Sequence, residues 1–76
     1  MKITVTQKDI AKGKRYDCGY CPTALAIQRA SKNEDVAVMG MRCEIDGELF
    51  DLPEKAILFI HNFDLGKPVK PFSFEI

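Results

Sequence analysis

Four side chains in this 76-residue chain are of the types that thiol or metal chemistry needs: Cys18, Cys21, Cys43 and His61. Cys18-Gly19-Tyr20-Cys21 is a C-x-x-C set just before Pro22, which suits the first turn of a helix, and a helix N-terminus lowers a thiol pKa. Thioredoxin-like redox sites follow a buried strand, whereas Gly13 to Asp17 is polar here and Asp17 opposes a thiolate at Cys18. Adding Cys43 and His61 gives the donor types of a Cys3His zinc set. The second pair is widely separated, Cys43 falls on the apolar wall of a strand, and His61 is displaced from the apolar face of its helix. The expectation is therefore reduced thiols that pack, with no metal, no cofactor and no catalytic residue. Thiol redox activity at Cys18/Cys21 is the enzymatic alternative. His61, the only histidine, has no nucleophile or carboxylate at readable spacing and makes no general base.

A second group lies beside the same helix start. Lys12, Lys14, Arg15, Tyr16 and Tyr20 adjoin a helix N-terminus, whose free N–H groups and positive dipole end favour an anion. Tyrosine rings can stack on a base, and Thr23 can add a hydroxyl. Lys14, Arg15, Tyr16, Tyr20 and Thr23 are the candidate ligand-binding residues, for a nucleotide-like or other phosphate-bearing ligand. The competing reading is a solvated basic loop whose tyrosines pack over the core. Asp46, Glu48, Asp51 and Glu54 form an acidic cluster that capping and solvation explain, and Met39 and Met41 fall at core spacing on a strand.

A third group is apolar. Leu58, His61, Asn62 and Leu65 lie opposite the core face of a helix at three- and four-residue spacing, so two leucines fall on its wet side. They are the candidate interface residues for a homo-oligomer.

The elements that position these groups follow from period and punctuation. Met1 to Val5 alternates as a strand, Thr6 and Asp9 read as a capping box, and Gly13 ends a helix over 7–12. Pro22 to Ser31, with Ala24, Leu25, Ala26, Ile27 and Ala30, is apolar almost all round and is expected as the central helix. Val36 to Ile45 reads as one strand with its odd positions inward, and Asp46-Gly47 as a hairpin whose longer loop pairs Ile45 with Leu49. Asp51 caps a second long helix that buries Ala56, Phe59, Ile60 and Phe63 and stops at Gly66. Val69 to Ile76 alternates again, beside the first strand. The expected fold is a small single-domain α+β sandwich, order β-α-α-β-β-α-β, with about four strands in one antiparallel sheet and the helices on one face.

Composition limits the functions. Eleven basic and eleven acidic side chains give no global field for DNA, RNA or an anionic membrane, so neither duplex nucleic acid nor membrane is an expected partner. No apolar run is long enough to span a bilayer, and no secretory signal is evident. With three cysteines, an odd count, this points to the cytoplasm.

Ile3-Thr4-Val5-Thr6, Asp9-Ile10 with Gly13, and Cys21-Pro22 leading into Ala24-Leu25-Ala26 resemble a group of small uncharacterised proteins of bacteriophages, plasmids and bacterial genomes. The likeness runs through the first half of the chain and more loosely through Phe63-Asp64 and Pro71-Phe72. It implies an intracellular, phage-type accessory protein, a setting where small non-enzymatic antagonists of host defence are common. It transfers no residue roles. Two functions are thus expected: a sponge that sequesters a nucleotide-like ligand, or an inhibitor that covers a host protein and takes no small ligand.

Overall fold

In the computed structural model, which describes residues 1–76, Thr6 ends one element and begins the next. Ile3 and Val5 of β1 (Lys2–Val5) are fully buried, while Lys2 and Thr4 face out. Thr6 Oγ1 accepts the Asp9 N–H at 3.2 Å, and Asp9 Oδ2 accepts the Thr6 N–H at 2.8 Å, completing the capping box of α1 (Gln7–Lys12). Gly13 closes α1, though not by adopting a left-handed conformation. Its φ is −67°, open to any residue, but a Cβ there would lie 2.4 Å from the Pro22 ring. The glycine lets α1 end directly against the start of α2 (Pro22–Ser31).

α2 is the central helix, touching β1, α1 and β2. Its Arg29 grips Asp9 with two hydrogen bonds, Nη1 to Oδ1 at 2.9 Å and Nη2 to Oδ2 at 2.8 Å. Nη2 also donates to the Thr4 carbonyl at 2.8 Å. One side chain thereby joins α2 to α1 and covers the outer edge of β1.

The terminal strands pair as expected: β5 (Phe72–Glu75) lies antiparallel to β1, with Ile3 opposite Phe74. They form their own two-stranded sheet, however, and the middle of the chain forms a second one of three strands. Five strands replace the expected four, in the order β-α-α-β-β-β-α-β. The stretch expected as one strand is split into β2 (Val36–Val38) and β3 (Arg42–Ile45) by a tight turn at Gly40-Met41. Gly40 takes φ +85° at the first central position, which only glycine adopts readily. The turn reverses the phase of the pattern: even residues Val36 and Val38 point inward on β2, odd residues Cys43 and Ile45 on β3.

Asp46-Gly47 is a two-residue turn, with Ile45 opposite Glu48, and not the longer loop. Both residues have positive φ, 50° and 82°, as a type I′ turn requires. The core-facing partner of β3 is then Phe50, opposite Cys43, while Leu49 on β4 (Glu48–Asp51) points out beside Glu44. Asp51 is no helix cap. It ends β4 and accepts from Arg42 Nε at 3.1 Å, and α3 (Glu54–Asp64) starts after Pro53 with no side-chain cap. Ala56, Phe59 and Ile60 are buried as expected, and Phe63 is half-buried. Phe59 packs on Phe72, ring centroids 4.7 Å apart, tying α3 to β5.

The Asp9 carboxylate is 7% exposed and the Arg29 side chain 53%, so the pair is buried at its acid end. Burial alone would raise the Asp9 pKa; hydrogen bonds from Arg29 and Thr6 outweigh it and hold the group below its ordinary 3.8. A depressed carboxyl stabilises the fold fully above its ordinary pKa, and that contribution fades as pH falls through the folded value. Arg29→Met should lose about 2–4 kcal/mol at neutral pH by urea unfolding, because it strands a buried carboxylate. The gap to the unmodified protein should narrow below about pH 4, where Asp9 is protonated in the unfolded chain.

Candidate functional site

The loop 14–20 gathers its residues but fills its own donors. The Lys14 N–H donates to the Tyr20 carbonyl at 2.9 Å, and its ammonium sits 5.7 Å from the centre of the Tyr20 ring. Asp17 Oδ1 accepts the N–H groups of Gly19 and Tyr20, each at 3.0 Å. Tyr16, at φ 56°, donates its N–H to Asp64 Oδ1 at 3.0 Å. The Arg15 guanidinium lies against Gly66, where an added Cβ would stand 3.0 Å from Nη2. Cys21 Sγ caps α2 by accepting the Ala24 N–H at 3.4 Å. Thr23 is fully buried, and its Oγ1 has no hydrogen-bond partner. Lys14 and Tyr20 thus meet on the surface, Arg15 and Tyr16 are exposed beside the end of α3, and Thr23 is buried away from all four. The loop's N–H groups already hold two carboxylates of the chain itself, and at the helix start the Ala24 N–H is taken by the Cys21 sulfur.

All three thiols are free, Cys18 exposed and Cys21 and Cys43 buried. Burial pushes the Cys21 thiol up against the pull of the Ala24 and Thr23 N–H groups, and the Asp64 and Asp17 charges add to the rise. Burial does the same at Cys43. Both thiols are held protonated, the opposite of an activated nucleophile. No three His, Cys, Asp or Glu side chains converge as a metal set.

The surface feature that stands out is apolar, and most of it comes from residues expected inside. Met39 and Met41 are exposed, because the Gly40-Met41 turn carries them past the end of the core. With exposed Leu49 they line an open depression of about 560 Å³ on the outer face of the three-stranded sheet, flanked by Arg42 and Glu44. Met41 also lines a second hollow of about 240 Å³ with Ile57, Ile60, His61 and Asp64 of α3. His61 in turn lies between Leu58 and Leu65, both half exposed, with Asn62 partly buried beside it. An apolar strip therefore runs from the sheet over Met41 and His61 to the outer face of α3. Exposed apolar surface of this kind marks interaction sites, and methionine adapts to irregular partners.

Sequence reasoning missed the sheet half of the strip, and with it a division of charge. Residues 34–54 carry seven acidic side chains and one basic, Arg42; the rest of the chain carries four acidic and ten basic. Net charge zero conceals an acidic three-stranded sheet beside a basic remainder. Counting charge by segment would have found it.

No protein-family model matches the chain, and no curated protein or solved structure matches it. No helix is long and apolar enough to cross a membrane.

Two outcomes follow from this geometry. Under native conditions a maleimide should label Cys18 once, with Cys21 and Cys43 reacting only after unfolding; intact-mass spectrometry counts the labels. Thr23→Val removes an unpartnered hydroxyl at nearly constant shape, so stability should be unchanged or raised by about 1 kcal/mol in thermal unfolding.

Proposed function

We propose that this chain is a small, non-enzymatic cytoplasmic binding protein of the phage type, one that acts by covering part of another protein. The observation that carries this reading is the apolar strip of Met39, Met41, Leu49, Leu58 and Leu65, five exposed large side chains on a domain with little apolar area to spare. The nucleotide-sponge reading is the weaker one, because Asp17 and Asp64 already occupy the loop's donors and Thr23 is buried. Within the strip, Leu58, His61, Asn62 and Leu65 form the part that pairs with a second copy across a two-fold axis, where one patch at three- and four-residue spacing on a single helix meets its own copy. The sheet half is left for the target.

A photo-crosslinking residue at Leu49 in living cells should capture one recurrent protein, which the same residue at Lys8 does not. A nucleotide that raised the melting temperature by several degrees in a broad panel would favour the sponge and overturn this reading. Leu58→Glu with Leu65→Glu should give a folded monomer by sedimentation, since neither side chain belongs to the core. An unmodified protein that is monomeric at high micromolar concentration would remove the self-association.

A further inference from the structure

β4 has an unpaired edge. The two-residue turn makes Ile45 and Glu48 the pair that exchanges hydrogen bonds, so Glu48 and Phe50 direct their backbone groups at β3. The Leu52 N–H, donating to the Met41 carbonyl at 3.0 Å, continues the same phase. Leu49 and Asp51 therefore turn their N–H and C=O groups away from the sheet, where no strand lies beside them. Two of the other edges are met in part by the chain itself. The Cys18 carbonyl accepts the Val38 N–H on the outer side of β2, and Arg29 takes the Thr4 carbonyl on β1. The outer side of β5 borders a hollow flanked by Lys2, Pro53 and Lys55, with no large exposed apolar side chain of its own to anchor a partner. At β4 the open backbone and the Met39/Met41/Leu49 depression lie together.

We infer that β4 takes an extended segment of the protein partner as an additional antiparallel strand, and that this segment is basic, alternating Lys or Arg with apolar residues. The inference rests on the protein-binding reading above and names the partner's chemistry. Main-chain hydrogen bonds to Leu49 and Asp51 supply affinity that is independent of side chains, and an alternate apolar side chain enters the methionine-lined depression. Charge selects the occupant. Glu44, Asp46 and Glu48 lie around this edge without a basic partner, and the one basic side chain beside it, Arg42, is already paired with Asp51. A second copy of β4 would bring two such acidic edges together, and an RNA or DNA strand would meet the same repulsion; a basic segment is attracted.

The test uses the intact 15N-labelled protein and an eight-residue peptide alternating Lys and Val, with two controls: the same peptide alternating Glu and Val, and the Lys peptide N-methylated at alternate residues. The Lys peptide should slow exchange of the Leu49 and Asp51 amides about tenfold or more at saturation, with the Ile3 and Val5 amides unchanged. The Glu peptide and the N-methylated peptide should bind at least about tenfold more weakly, and Glu48→Lys should weaken the Lys peptide, which raised salt should also do. A Lys peptide that shifts the Met39 and Met41 methyl signals without protecting Leu49 and Asp51 overturns strand addition while leaving the apolar surface as a binding site. Equal binding of the Glu peptide overturns the charge assignment, and absence of binding at millimolar peptide overturns the inference as a whole. Protection of Leu49 and Asp51 without peptide, in a sample that sediments as a dimer, would show a second copy as the occupant and overturn it equally.

Discussion

The grip of Arg29 on Asp9 is the constraint on which half of this molecule depends. Asp9 is at once the third residue of α1, the acid of its capping box and a nearly buried carboxylate. Left alone the carboxylate would be costly to bury; it accepts two bonds from Arg29 and one from the Thr6 N–H, while the Asp9 N–H donates to Thr6 Oγ1. Because Arg29 also holds the Thr4 carbonyl, the same guanidinium fixes β1, α1 and α2 relative to one another. A six-residue helix is too short to stand by itself, and this contact with the Gly13–Pro22 approach supplies what its length does not. Surface ion pairs contribute little as a rule, but here one end is dry and bidentate.

What the sequence made legible was whatever local pattern decides. Thr6 and Asp9 announced a capping box, Pro22 a helix start, Gly66 a helix end, and the alternation at each terminus the β1–β5 pair. The failures have one physical origin. Period-two alternation runs through Gly40 as if through one strand, but a glycine at positive φ turns the chain, and the alternation on either side of it then belongs to two strands of opposite phase. That single turn moves Met39 and Met41 from core to surface and creates the third strand. Asp51 with Glu54 three residues on has the pattern of a helix cap, yet the ladder continues through Leu52 and gives Asp51 to Arg42 instead. The Arg29–Asp9 bond, between residues twenty apart, has no local signature.

The candidate site was legible in part. Leu58 and Leu65 fall outside the apolar face of α3 at helical spacing, and they are exposed. The loop from Lys14 to Tyr20 has the composition of an anion site, but composition does not reveal that Asp17 and Asp64 fold back onto its N–H groups. Carboxylates can close a nest as well as a phosphate can. The Cys18–Cys21 pair has the motif without the electrostatics, since burial raises the Cys21 thiol instead of activating it.

These parts describe a molecule of two unequal halves. One, built from β1, α1, α2 and β5, is closed by Arg29, the capping box and the terminal pairing, and carries the positive charge. The other, the three-stranded sheet, is acidic, apolar on its outer face and open along β4. Residue-resolved hydrogen exchange on the isolated protein measures that division most directly. The account predicts that Ile3, Val5 and Ile27 exchange only through global unfolding, while Leu49 and Asp51 exchange as open edge amides, far faster than Cys43 and Ile45 of the paired β3. Leu49 and Asp51 amides as protected as Cys43 and Ile45, in a monomeric sample, would contradict it.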